Sequence, residues 1–120
     1  EIKSVLKSLR VTSADRKIIS VFQPHRYSRL KLLNKDFSSS FKDSNLVVLC
    51  PVYAAGEKVD KKYNPVNFAK LITQHSNVQV VLVNNKKDLN NFFKKNLIEN
   101  EIVICMGAGS ISKWLREMKF

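Results

Sequence analysis

The chain has 120 residues, 44% of them hydrophobic, with three Gly, three Pro and a formal net charge of +11. That is the length of one domain, with enough apolar residues for a core and too few glycines and prolines for disorder. No apolar run approaches the roughly 20 residues a membrane span needs, and Glu1-Ile2-Lys3 is no signal peptide. Cys50 and Cys105 each close an apolar run without metal-type spacing, which suits reduced, buried thiols. A cytoplasmic chain without a membrane partner is expected.

Ile2, Val5, Leu6 and Leu9 form the apolar stripe of a first helix. The strand-like run Ile18-Ile19-Ser20-Val21-Phe22 follows and is stopped by Gln23-Pro24. His25, Arg26, Tyr27 and Arg29 then crowd together, with Ser28 placed to cap the next helix through its hydroxyl. That helix is expected to carry Leu30, Leu33, Phe37 and Phe41 on one face. Leu46-Val47-Val48-Leu49-Cys50 is wholly apolar between Asn45 and Pro51, as a buried parallel strand should be. The loop Pro51-Val52-Tyr53-Ala54-Ala55-Gly56-Glu57 is small-residue in character, with one phenol and one carboxylate.

Asn64-Pro65 supplies an N-cap and a proline at the first helical position, ahead of Phe68, Leu71 and Ile72. Val78 to Val83 reads as a β-branched strand, and Asp88 as the cap of a helix bearing Leu89, Phe92, Phe93 and Leu97. Ile102 to Met106 is a fourth strand. Gly107-Ala108-Gly109 then leads into a last helix opened by Ser110 and carrying Ile111, Trp114, Leu115 and Met118. The aromatic and methionine stripes are core faces.

This alternation predicts an α/β fold: a doubly wound, mostly parallel, Rossmann-like sheet with helices on both faces, in one domain over residues 1–120. Every unusual segment follows a strand. The loops after the first, second and fourth strands can therefore meet on one sheet edge, where such folds bind ligands. Arg26 and Arg29 there suit an anion, because a guanidinium can hold a carboxylate or phosphate with two parallel hydrogen bonds. The plainer alternative is a solvated basic turn.

Tyr53 can stack on a base or donate its hydroxyl, and Glu57 can accept from a hydroxyl, an amine or an arginine. Gly107 and Gly109 permit positive φ and close backbone approach beside a helix N-terminus. Ser112 stands where a dinucleotide fingerprint has its third glycine, so a complete nicotinamide site is not expected. There is no Walker loop. The lysines are spread over nearly every element rather than gathered in a stripe, which argues against specific nucleic-acid binding.

Together, Val21-Phe22-Gln23-Pro24-His25-Arg26-Tyr27-Ser28-Arg29, Val52-Tyr53-Ala54-Ala55-Gly56-Glu57 and Gly107-Ala108-Gly109-Ser110-Ile111 resemble the C-terminal domain of the Mur ligases. The resemblance is to the branch that joins L-alanine to UDP-N-acetylmuramate in peptidoglycan synthesis. It covers nearly the whole chain, and departs from the family pattern at Pro51, Ser110 and Ser112.

The resemblance implies an ATP-dependent ligase working through an acyl phosphate, with ATP and Mg2+ held mainly by a central domain. It implies Arg26, Arg29 and His25 as catalytic residues, and Arg26, Arg29, Tyr53 and Glu57 as substrate-binding. Tyr53, Glu57, Gly107 and Gly109 would face the nucleotide, and no metal ligand falls on this chain. Glu1 resembles the last residue of the family's Asp-Asp-Tyr-x-His-His-Pro-Thr-Glu segment. The UDP-binding and central ATPase domains are therefore expected to be missing, and the isolated chain to be inactive. The alternatives are a non-catalytic basic α/β module that binds nucleic acid, and the related muramyl-tripeptide recycling ligase.

Overall fold

Four strands, β1 (Ile18–Phe22), β2 (Leu46–Leu49), β3 (Gln79–Leu82) and β4 (Ile102–Met106), make one all-parallel sheet in the order β3-β2-β1-β4. The computed structural model describes residues 1–107 and 109–118. Ala108 of the glycine turn, Lys119 and Phe120 lie outside the described residues.

Side chains alternate across a strand, so each strand feeds two cores. Ile18 and Phe22 of β1 join Val47 and Leu49 in one cluster. Helix α1 (Ile2–Thr12) gives that face Leu6, α2 (Tyr27–Leu32) gives Leu30, and α4 (Pro65–Ser76) gives Phe68 and Ile72. Ile19, Val21 and Val48 point the other way, onto α5 (Lys86–Asn96) through Leu89, Phe92 and Phe93, and onto α6 (Ser110–Glu117) through Ile111. Helices thus cover both faces, as a doubly wound sheet requires. β1 and β2 are buried along their whole length, whereas the outer strands β3 and β4 are partly exposed. Ser20, buried in the middle of β1, is satisfied by a hydrogen bond with the Ser44 hydroxyl.

Three local expectations are corrected. The single helix expected after β1 is two short ones, α2 and α3 (Asn34–Ser38), broken at Leu33. The break turns the chain so that Phe37 and Phe41 both reach Phe22, with ring centroids 5.5 and 5.4 Å away. Phe41 is fully buried although it lies beyond the helix. Ser28 sits inside α2 and does not cap it. The cap of α5 is Asn85, whose Oδ1 accepts the Asp88 N–H at 2.8 Å; Asp88 reaches back to the Asn84 N–H at 3.0 Å. Asn64 caps α4 with Pro65 in its first turn, as expected.

At the amino end of the sheet the loops are gathered by Arg10. Its Nη1 donates to the Arg16 and Ala14 carbonyls, at 2.9 and 3.2 Å. Its Nη2 donates to the Asp43 carbonyl and to Asn45 Oδ1, at 2.9 and 2.6 Å. The same Asn45 oxygen accepts the Ile18 N–H at the start of β1.

Candidate functional site

Placing β1 between β2 and β4 brings three loops together at the carboxyl ends of the strands. The strand order reverses beside β1, the usual place for a ligand crevice. The loop after β1 is fastened to the loop after β2 by a short extension of parallel pairing. The Tyr53 N–H donates to the Pro24 carbonyl and the Arg26 N–H to the Tyr53 carbonyl, both at 2.8 Å. The His25 ring stacks on Tyr53, with centroids 5.7 Å apart and planes inclined by 28°.

The third loop closes against this pair by close backbone approach. A Cβ on Gly109, at φ +95°, would stand 2.5 Å from the Tyr53 ring, and one on Gly107, at φ +131°, 2.5 Å from the Gln23 carbonyl oxygen. Both glycines are thus needed for packing between loops, because protein fills the place a Cβ would take at each. Tyr53 keeps 38% of its surface exposed, beside His25 and Gly109.

Gln23 ties the three loops, a function that its place at the end of an apolar run did not reveal. Its Nε2 donates to the Ser110 hydroxyl at 2.7 Å and to the Pro51 carbonyl at 3.2 Å, and its Oε1 accepts the Ile111 N–H at 3.1 Å. It is 1% exposed. Two of the positions that depart from the family pattern, Pro51 and Ser110, are among its partners.

Arg26 adopts φ 68°, ψ 134° at the N-terminus of α2, a left-handed conformation that a residue other than glycine rarely takes. Glu57 reaches the first turn of α2 from the neighbouring loop, where its carboxylate accepts from the Ser28 N–H at 3.2 Å and from the Ser28 hydroxyl. These bonds, the hydroxyl's above all, hold the Glu57 carboxyl below its ordinary value, with help from the nearby Arg26 charge. Glu57 therefore caps the helix that carries Arg29 and that Arg26 precedes.

A cleft of about 530 Å³ lies beside β1, floored by Phe22, Phe37 and Met106 and rimmed by Glu1, His25 and Arg29. Arg26 lies around the corner, in an adjoining hollow of about 370 Å³ that it shares with His25, Arg29 and the exposed Leu32. Of the expected anion-binding residues, His25 and Arg29 border both hollows and Arg26 only the outer one. Burial pushes the thiols of Cys50 and Cys105 up to about 12 and 11, so both are free but poor nucleophiles. Among the described residues no group of three or more His, Cys, Asp or Glu is placed to hold a metal ion, and no helix is long and apolar enough to cross a membrane.

No protein-family model matches the chain. Among curated proteins it is similar to the UDP-N-acetylmuramate–L-alanine ligase of Pelagibacter ubique, with 44% identity over 118 residues, 98% of this chain and 25% of that ligase. The ligase of the same name from Rhodospirillum rubrum is 39% identical over 114 residues, 95% of this chain and 24% of its own length. That from a Sulfurihydrogenibium species is 34% identical over 113 residues, 94% of this chain and 25% of its own. The chain spans about a quarter of the length of these relatives.

Proposed function

The chain is a homologue of the C-terminal domain of the UDP-N-acetylmuramate–L-alanine ligases, of the Mur ligase family, and from that premise we propose that it closes such a ligase over its substrates. In this reading ATP phosphorylates the lactyl carboxylate of UDP-N-acetylmuramate. The amine of L-alanine attacks the acyl carbon, phosphate leaves with the bonding pair, and the nitrogen gives up a proton. Amide formation by this route needs no nucleophile from the protein. It needs an oriented amino acid and stabilised anionic charge.

Arg29, on the rim of the larger cleft, takes the L-alanine carboxylate, and Arg26 meets the charge that develops on the acyl phosphate. His25, held by the Tyr53 ring, orients that loop and borders both hollows. Tyr53, Glu57, Gly107 and Gly109 shape the nucleotide side, largely through their packing and bonds to the arginine loop. Magnesium takes no ligand from the described residues in this reading; it and the triphosphate fall to a central domain, and the uridine nucleotide to an N-terminal one. The work is cytoplasmic.

The observation that supports this reading best is the meeting of the His25–Arg29 segment with Tyr53 and Gly109 at the reversal of strand order. The test replaces the matching quarter of the Pelagibacter ubique ligase with these 120 residues. Phosphate release that depends on both UDP-N-acetylmuramate and L-alanine is expected from the chimera, and none from the 120-residue chain alone. A folded but inactive chimera, or full turnover by the isolated chain, overturns the proposal.

A further inference from the structure

Among the described residues, Gln23 is the one side chain that bonds to both of the other strand-end loops through its own amide. The Pro51 carbonyl belongs to the loop after β2, and the Ser110 hydroxyl and Ile111 N–H to the first turn of α6. Those partners lie 28, 87 and 88 residues away in sequence. The Gln23 backbone adds two constraints: its N–H donates to the Met106 carbonyl at 3.0 Å, and its carbonyl oxygen occupies the space beside Gly107.

Only a primary amide fits this position. The Ile111 N–H needs an acceptor, the Pro51 carbonyl needs a donor, and one planar group supplies both. Glutamate would present an oxygen to the Pro51 carbonyl, and an apolar residue would leave the Ile111 N–H unpaired in the interior. Removing the amide loosens α6 and the Pro51 loop at the end of β1, leaving the Tyr53–Pro24 backbone bond and the packing of Ile111 to hold them. Tyr53, two residues beyond Pro51, and Gly109, one before Ser110, would lose their mutual register, and with it the support of His25 and Arg26.

We infer that Gln23 is a positioning residue: it borders the larger cleft, but its amide is engaged by Pro51, Ser110 and Ile111 and sets where the arginine loop stands relative to Tyr53 and α6. The kinetic part of this inference rests on the ligase reading, whereas the structural part does not. Gln23→Met, and Ser110→Ala as the milder variant that removes one bond, are compared with Arg10→Ala, which loosens the opposite end of the sheet.

In the isolated chain, amide hydrogen exchange of Gln23→Met is expected to rise about tenfold or more at Arg26 and Tyr53. Neither of these amides bonds to the Gln23 side chain. The β1 amides of that variant should follow global stability alone, and Ser110→Ala should shift Arg26 and Tyr53 in the same direction by less. In the chimeric ligase, assayed well below every variant's Tm, KM for L-alanine should rise about tenfold in Gln23→Met and remain unchanged in Arg10→Ala. The Gln23→Met/Ser110→Ala double variant should be no worse than Gln23→Met, because the bond that Ser110→Ala removes is already lost in Gln23→Met.

Wild-type exchange at Arg26 and Tyr53 in Gln23→Met overturns the inference outright. Faster exchange with an unchanged L-alanine KM overturns its link to the amino acid. A chimera inactive with Gln23 intact overturns the ligase reading alone, and the exchange result still decides the positioning role.

Discussion

The two ends of the sheet are tied in different ways. At the amino end Arg10 spreads one guanidinium over three carbonyls and Asn45, a charged knot at a partly exposed surface. At the carboxyl end a neutral amide, 1% exposed, does the tying. The backbone differs as well. The carboxyl end holds Arg26 at φ 68° and presses two glycines against neighbouring loops, whereas the amino-end turn relies on Asn100, a residue type that tolerates φ 64°. A left-handed non-glycine residue costs on the order of 1–3 kcal/mol, and glycine would relieve it. In the function proposed above, an arginine is kept there for its guanidinium at the expense of local stability. Among the described residues, the two positive-φ residues that are neither glycine nor asparagine, Arg26 and Ala55, both lie at the end proposed to meet the substrate.

The sharpest way to break this contrast is Arg29→Ala in the chimeric ligase. Loss of a charge-assisted contact to the L-alanine carboxylate should lower kcat/KM for alanine about ten- to a hundredfold, or roughly 1.5–3 kcal/mol. Arg29→Lys should recover little of it, since lysine lacks the planar fork. Urea unfolding of the isolated chain should be nearly unchanged in both variants. At the other end, Arg10→Ala should cost about 2–3 kcal/mol of stability by urea unfolding and leave the chimera's kinetic constants alone. If Arg10→Ala slowed catalysis at full folding, the division between the ends would fail.

Arg26→Gly opposes the two effects in one residue. Relief of the left-handed backbone, offset by the greater freedom of an unfolded glycine, should leave the isolated chain about 1 kcal/mol more stable by urea unfolding. The chimera carrying it should lose alanine-dependent turnover. A less stable Arg26→Gly chain would mean that the Arg26 side chain adds to the hold of the backbone bonds at its N–H and carbonyl.

The smallest effect concerns Glu57. Its carboxyl is held below the ordinary value, so its contribution is fully present above pH 4.5 and lost as pH falls through the lowered folded value. Glu57→Gln should therefore have a slightly lower Tm than the parent at pH 7, with the gap closing as pH falls below 4.5. A gap that stays constant across that range would show the capping to be independent of charge.

How much of this was legible depends on how far apart the partners lie. The strands announced themselves through short apolar runs, and their alternation with helices was enough to place three loops at one edge. Asn64-Pro65 was read correctly because a cap and its helix are adjacent. The break at Leu33 was not, because it serves the packing of Phe37 and Phe41 on Phe22, which periodicity does not encode. Ser28 looked like a cap by position, yet its helix is capped by a carboxylate 29 residues away. Gln23 looked like a strand terminator. A buried amide joining loops 28 and 87 residues apart leaves no local pattern; its one available signal was a polar residue directly between an apolar run and a proline.

The central position of β1 also governs how the chain can be made. β1 can pair with β2 once Leu49 has left the ribosome, but its other partner, β4, begins only at Ile102. Until then one edge of a largely apolar strand stays bare, an adhesive surface for any extended segment nearby. Pairing across such a long loop is also slow. A nascent chain stalled before Ile102 should thus be the aggregation-prone species, and the strand-end cleft should be among the last features to form during synthesis.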